Sequence, residues 1–143
     1  MIGRLYNPET DREAAHRIWY ECHWINSKEQ EKNMDLFLAA GRIHVAELNG
    51  EAECLVASVP GTVQYLEEDL RLSVITGVTT SRVVRKQGLA GRLTAEVIAA
   101  AVEDGAQVSA LSMFEQGFYD RLGFGTGGYE HMIRFDPADL NVE

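Results

Sequence analysis

Apolar residues recur at Ala15, Ile18, Trp19, Cys22 and Ile25, at the three- and four-residue spacing of an amphipathic helix. Ile2, Leu5 and Tyr6 form a short apolar start before it. Asn7-Pro8-Glu9-Thr10 reads as a turn, with Thr10 the expected N-cap. Ser27-Lys28-Glu29-Gln30 fits a capping box, and Met34, Leu36, Phe37 and Leu38 carry a second helix to a stop at Gly41. Then the period falls to two. Ile43 to Leu48 and Glu51 to Val59 flank Asn49-Gly50, a pair that tolerates the positive φ of a tight hairpin turn, and Pro60-Gly61 is expected to end the second arm. Leu70 to Thr80 is the longest β-branched stretch and predicts a central strand, with Gly77 as a candidate bulge.

Helical spacing returns after Gly88 with Leu89, Leu93 and Val97. Val108 to Met113 predicts a strand parallel to 70–80, because a helix separates the two. Phe118 to Leu122 makes a short helix ended by Gly123, and His131 to Phe135 a last strand. The order is β-α-α-β-β-β-α-β-α-β, without repeats or linkers. A single α/β domain over residues 1–143 is expected, with a mixed, mostly antiparallel sheet.

Composition removes several classes of function. The 143 residues carry 13 Lys+Arg against 22 Asp+Glu, a formal net charge of −9. An acidic chain is a poor general binder of nucleic acid, which needs a basic face, but it attracts cations. No apolar run approaches the roughly twenty residues of a membrane helix, and no apolar signal region follows Met1. Cys22 and Cys54 are isolated from one another, so neither a metal site nor a disulfide framework is indicated, and buried structural thiols are expected. The expected compartment is reducing and cytoplasmic.

The distribution of charge says more than its total. Six carboxylates and no Lys or Arg lie between Arg42 and Arg71, whereas Arg82, Arg85, Lys86 and Arg92 cluster in a stretch without acids from Thr76 to Ala95. Arg85-Lys86-Gln87-Gly88-Leu89-Ala90 puts a glycine and a small residue at a helix start. Unpaired N–H groups and the positive end of the dipole meet an anion there. Gly88 permits positive φ, and Ala90 removes bulk. The absence of GxGxxG, and a turn lying mid-chain, make a dinucleotide a poor fit.

Val78-Thr79-Thr80-Ser81-Arg82-Val83-Val84-Arg85-Lys86-Gln87-Gly88-Leu89-Ala90 resembles the acetyl-CoA-binding segment of the GNAT-type N-acetyltransferases, and Phe118-Tyr119-Asp120-Arg121-Leu122-Gly123-Phe124 resembles their second motif. The two in this order are far more specific than either alone, and the element order agrees along essentially the whole chain. Within the superfamily the pair is similar to the N-terminal acetyltransferase unit of the enhanced-intracellular-survival group.

The resemblance implies a splayed parallel pair of central strands, with helices on both faces of the sheet. Acetyl-CoA then lies along the strand from Val78 through Thr79 and Thr80, with the Val78 N–H near the thioester oxygen. Arg85, Lys86, Gln87, Gly88, Leu89 and Ala90 cradle the pyrophosphate, and Tyr119 is the expected general acid, since a phenol with a pKa of about 10 carries a proton at neutral pH. The general base is not legible. Glu47, Glu53, His23 and His131 are equal candidates, and an amine of low pKa needs none. Trp19 and Trp24 read as packing residues, and Glu67-Glu68-Asp69 as a solvated loop. The expected activity is direct acetyl transfer to a primary amine, of a small cationic molecule. The alternatives are acetylation of a protein lysine or N-terminus, and a catalytically silent acyl-CoA sensor. The expected partners are acetyl-CoA and the amine, with a homodimer as an option, and neither nucleic acid, membrane nor metal.

Overall fold

The computed structural model describes residues 3–113 and 116–128, together with 134 and 136. β1 (Gly3–Leu5) leads into α1 (Pro8–Glu21). The cap of α1 is Asn7 rather than Thr10: its side chain accepts the Glu9 N–H at 3.0 Å, and Pro8 takes the first helical position, where a missing N–H costs nothing. The helix stops at Glu21, short of Ile25, which packs into the core from the following turn. Ser27 caps α2 (Lys28–Ala40) through its Oγ at 3.3 Å from the Gln30 N–H.

β2 (Arg42–Leu48) and β3 (Glu51–Tyr65) form the expected hairpin, with φ of 54° at Asn49 and 88° at Gly50. Pro60-Gly61 does not end β3. The ladder to β2 finishes at Arg42 opposite Ser58, so from Val59 onward β3 has β4 (Glu68–Thr80) as its one ladder partner, and an edge tolerates proline. This two-stranded arm closes at Leu66, whose φ of 56° makes the turn, and β4 accordingly begins before Leu70.

Gly77 does mark a bulge. Leu55 faces Thr79 and Ala57 faces Thr76, so the extra residue lies on β4, where Gly77 has φ +62° and Val78 has no ladder partner among the described residues. A 3-10 turn (Arg82–Val84) and α3 (Leu89–Glu103) connect β4 to β5. β5 spans Val108–Ala110 only, shorter than expected, and residues 111–113 leave the sheet. Its parallel pairing is Leu72 to Val108, Ser73 to Ser109 and Val74 to Ala110. From Ile75 to Thr80, β4 therefore runs on without a described neighbour on that side, which is the splay.

The sheet order is β1-β2-β3-β4-β5. One face packs Ile18, Trp19, Met34 and Leu38 of α1 and α2 on Ile43, Val45 and Leu55; the other packs Leu93 and Val97 of α3 on Val56 and Ile75. Each such fully buried side chain contributes about 1.5–3 kcal/mol. Beyond β5, α4 (Gln116–Asp120) starts and ends two residues before the predicted 118–122. The expected strand from His131 to Phe135 falls, apart from Arg134, outside the described residues. No helix among the described residues is long and apolar enough to cross a membrane.

Candidate active site

The end of β4 and the start of α3 build an anion-receptive surface. Gly88 is the N-cap of α3 with φ +79°, and no side chain caps the helix. A Cβ on Gly88 meets nothing nearer than Arg92 Nε at 3.8 Å, so the backbone angle, not space, calls for glycine. The first intrahelical bond of α3 is from the Arg92 N–H to the Gly88 carbonyl, which leaves the N–H groups of Leu89, Ala90 and Gly91 without helical acceptors. Arg85, Lys86 and Gln87 are exposed beside them, and Lys86 itself adopts φ +65°. Among the described residues none of Arg82, Arg85, Lys86 and Arg92 forms an ion pair, in contrast to Arg4, Arg12, Arg17 and Arg42. Free cations, a positive helix end and a left-handed glycine fit a phosphate-bearing ligand.

A cavity of about 810 Å³ opens on this surface. Val78, Thr79, Thr80, Arg85, Lys86, Gly88, Leu89, Ala90 and Tyr119 all line it, while Gln87 is exposed in the same turn but does not. The fold thus gathers two motifs some thirty residues apart around one space. It also adds residues that motif reading missed: Cys22 and Trp24 from the α1–α2 turn, Val84, Gly91, and Phe118, Arg121 and Leu122 around α4. Arg121 lies within the second motif, so its position was already a signal, whereas Cys22 and Trp24 reach β4 only through tertiary packing. The indole N–H of buried Trp19 donates to Thr79 Oγ1 at 3.2 Å, and its ring lies 5.2 Å from Trp24. Trp19 is a packing residue as expected; Trp24 is an exposed wall of the cavity.

Tyr119 is half-buried, with its ring edge-on to Phe118 at 4.9 Å and Phe124 at 6.0 Å. The base candidates lie elsewhere. Glu47 pairs with Arg4 at 3.0 Å, Glu53 with Arg17 at 3.3 Å, and exposed His23 faces the Arg82 guanidinium at 3.0 Å. None of the three lines the cavity, and His131 lies outside the described residues. Among the described lining residues every charged group is a cation. Glu67, Glu68 and Asp69 sit at the tip of the β3–β4 arm.

The cysteines divide. Cys54 is buried, and burial pushes its thiol up to about 11 against a hydrogen bond from Thr80 Oγ1 at 3.3 Å that lowers it. Cys22 is half-buried against the core cluster of α1 and α2 and also lines the cavity, with Sγ 3.4 Å from the Arg85 guanidinium. A second cavity, about 560 Å³, lies between α1, α2 and β2, away from both motifs; its Arg12 and Asp35 pair with each other at 2.7 Å.

The family model described as an acetyltransferase (GNAT) domain matches residues 4–127, and the chain belongs to that family. No curated protein sequence matches it. Solved structures share its fold at low identity. A transcriptional regulator from Bacillus halodurans is 18% identical with a TM-score of 0.74, over 93% of this chain and 98% of that one. A predicted acetyltransferase with acetyl-CoA from Clostridium acetobutylicum is 16% identical at 0.71, over 92% and 94%. Glucosamine-6-phosphate N-acetyltransferase from Arabidopsis thaliana is 12% identical at 0.69, over 94% and 97%. Such likeness establishes the shared fold, in which the described residues form a five-stranded, mostly antiparallel sheet with one parallel pair.

Proposed function

We propose that this protein is a cytoplasmic N-acetyltransferase, a single domain that moves acetyl from acetyl-CoA to a primary amine by direct attack in a ternary complex. The observation that carries the reading is one cavity in which the unpaired end of β4, the uncapped start of α3 and Tyr119 meet. Acetyl-CoA supplies an activated acetyl group on a thioester. The chain supplies the rest. N–H groups at the start of α3, with Arg85 and Lys86, hold the pyrophosphate, and Gly88 lets the backbone approach it. The Val78 N–H, at the bulge where the β3–β4 register breaks, is a donor for the oxygen that gains charge. The Tyr119 hydroxyl gives its proton to the departing sulfur.

The net charge of −9 favours arrival of a small cationic amine. Within the family, the motif pair GVTTSRVVRKQGLAGRL and FEQGFYDRLGFG is the ground for reading kinship with the enhanced-intracellular-survival group. A second reading, a silent acyl-CoA sensor, is favoured by the lack of any carboxylate or histidine among the described lining residues.

Thermal unfolding with coenzyme A, acetyl-CoA and NADH tests the cofactor. At 100-fold its Kd a ligand of the native state adds about 2.7 kcal/mol. Both coenzyme A species are expected to raise Tm, NADH to leave it unchanged, and Gly88→Trp to abolish the shift. A wild-type protein indifferent to coenzyme A would sink the acetyltransferase reading.

A further inference from the structure

The β4–α3 turn is held at its first two residues by side chains of α1 and the backbone of β3. Ser81 is fully buried: its N–H donates to the Glu53 carbonyl at 2.9 Å, and its Oγ accepts from the Arg17 guanidinium at 3.2 Å. The next N–H, of Arg82, donates to the Glu21 carboxylate at 2.8 Å. The same nitrogen of Arg17 also reaches the carboxylates of Glu21 at 3.2 Å and Glu53 at 3.3 Å. Its other terminal nitrogen meets the Glu51 carboxylate and the Ala52 carbonyl, both at 3.4 Å. Three carboxylates therefore converge on one cation, next to a turn built to receive an anion.

The side chain of Glu53 is 12% exposed and that of Glu21 25%, so water screens neither fully. Burial pushes the Glu21 carboxyl up, but hydrogen bonds from the Arg82 N–H, Arg17 and Ser81 outweigh it and leave it below its ordinary value. Burial likewise pulls the Arg17 guanidinium down, and Glu53 and Glu21 more than offset it. Glu21 and Arg17 are thus both charged at neutral pH.

We propose that Arg17 is a positioning and charge-compensating residue for the cofactor turn: it offsets part of the negative charge of Glu21 and Glu53, which without it repel the phosphates of coenzyme A more strongly, and it fixes Ser81, where the chain turns towards Gly88. The inference rests on the coenzyme A reading above. A guanidinium suits the task because one terminal nitrogen meets Glu21, Glu53 and Ser81 while the other meets Glu51 and the Ala52 carbonyl.

The test is calorimetric titration of coenzyme A into wild type, Arg17→Gln and the double variant Glu21→Gln/Glu53→Gln, at low and high salt. Arg17→Gln is expected to weaken binding on the order of tenfold at low salt, the effect of one or two uncompensated surface charges, and less at high salt. The double variant keeps the acceptor oxygens and loses the charges, so it binds at least as tightly as wild type. A merely structural contact predicts weaker binding in both, without salt dependence, and that result overturns the proposal. Should Arg17→Gln fail to fold, the double variant still decides by the sign of its effect. Wild type that binds no coenzyme A overturns the cofactor reading and this inference with it; unchanged binding in Arg17→Gln overturns the inference alone.

Discussion

Tyr119 carries the chemical part of the proposal on one oxygen. Tyr119→Phe keeps the ring and its edge-on contacts with Phe118 and Phe124 and removes the hydroxyl. Its kcat should fall by about 10²-fold or more, the usual contribution of general acid catalysis, with coenzyme A affinity unchanged. Release of free thiol from acetyl-CoA against a panel of amines measures the first, and calorimetry the second. A silent sensor predicts no measurable turnover in either protein. Gly88 is the complementary case. Its position before a helix and among cations made it readable as a left-handed cap, and the left-handed φ agrees.

At the scale of elements, the bulge in β4 decides where the backbone can receive a ligand. Gly77 absorbs the extra residue with φ +62°, and a Cβ there touches the Phe37 ring at 3.4 Å and Ala57 at 3.5 Å, ordinary contacts. The cost of Gly77→Ala is therefore conformational, about 1–2 kcal/mol. Urea unfolding should register that loss. Relaxation of the bulge also re-pairs Val78, so coenzyme A should bind more weakly even where the protein remains folded. Full stability together with full affinity would remove the bulge from the account. The short β5 matters as much, because its three residues zip only the beginning of the parallel pair and leave Ile75 to Thr80 open.

Across the whole molecule, β1, α1 and β2 are tied together by Arg4, which donates to Asp11 at 2.6 and 2.8 Å and to Glu47 at 3.0 Å. The Asp11 side chain is 3% exposed and also accepts the Asn7 N–H at 2.8 Å. Burial pushes this carboxyl up, but Arg4 and the Asn7 N–H outweigh it and hold it below its ordinary 3.8. A lowered native value means stability that is present above 3.8 and lost as pH falls through the native value. Asp11→Asn should thus be about 2 kcal/mol less stable than wild type at pH 7, discounted for the half-exposed Arg4, and the gap should close towards pH 2. A gap equal at both pH values would falsify this assignment.

How much of this was legible depended on the range of the interactions involved. Helix periods, the Asn49-Gly50 turn, the Ser27 cap, the Gly77 bulge and the Gly88 cap all follow from local φ, spacing and capping, and the sequence by itself determined them. The same holds for the clustering of Arg82, Arg85, Lys86 and Arg92 at the β4–α3 turn. Apart from the cap of α1 and the ends of α1 and α4, the errors fall where a distant partner decides. β3 runs past Pro60 because β2 ends opposite Ser58, and β5 stops at Ala110 although its residues remain apolar. Trp24 became a cavity wall because the α1–α2 turn packs beside β4. Arg17, 64 residues from Ser81, met Glu51 and Glu53 only once α1 lay against β3. Spacing along the chain reports which face a residue takes, but not which other element meets that face, and only the tertiary structure decided that.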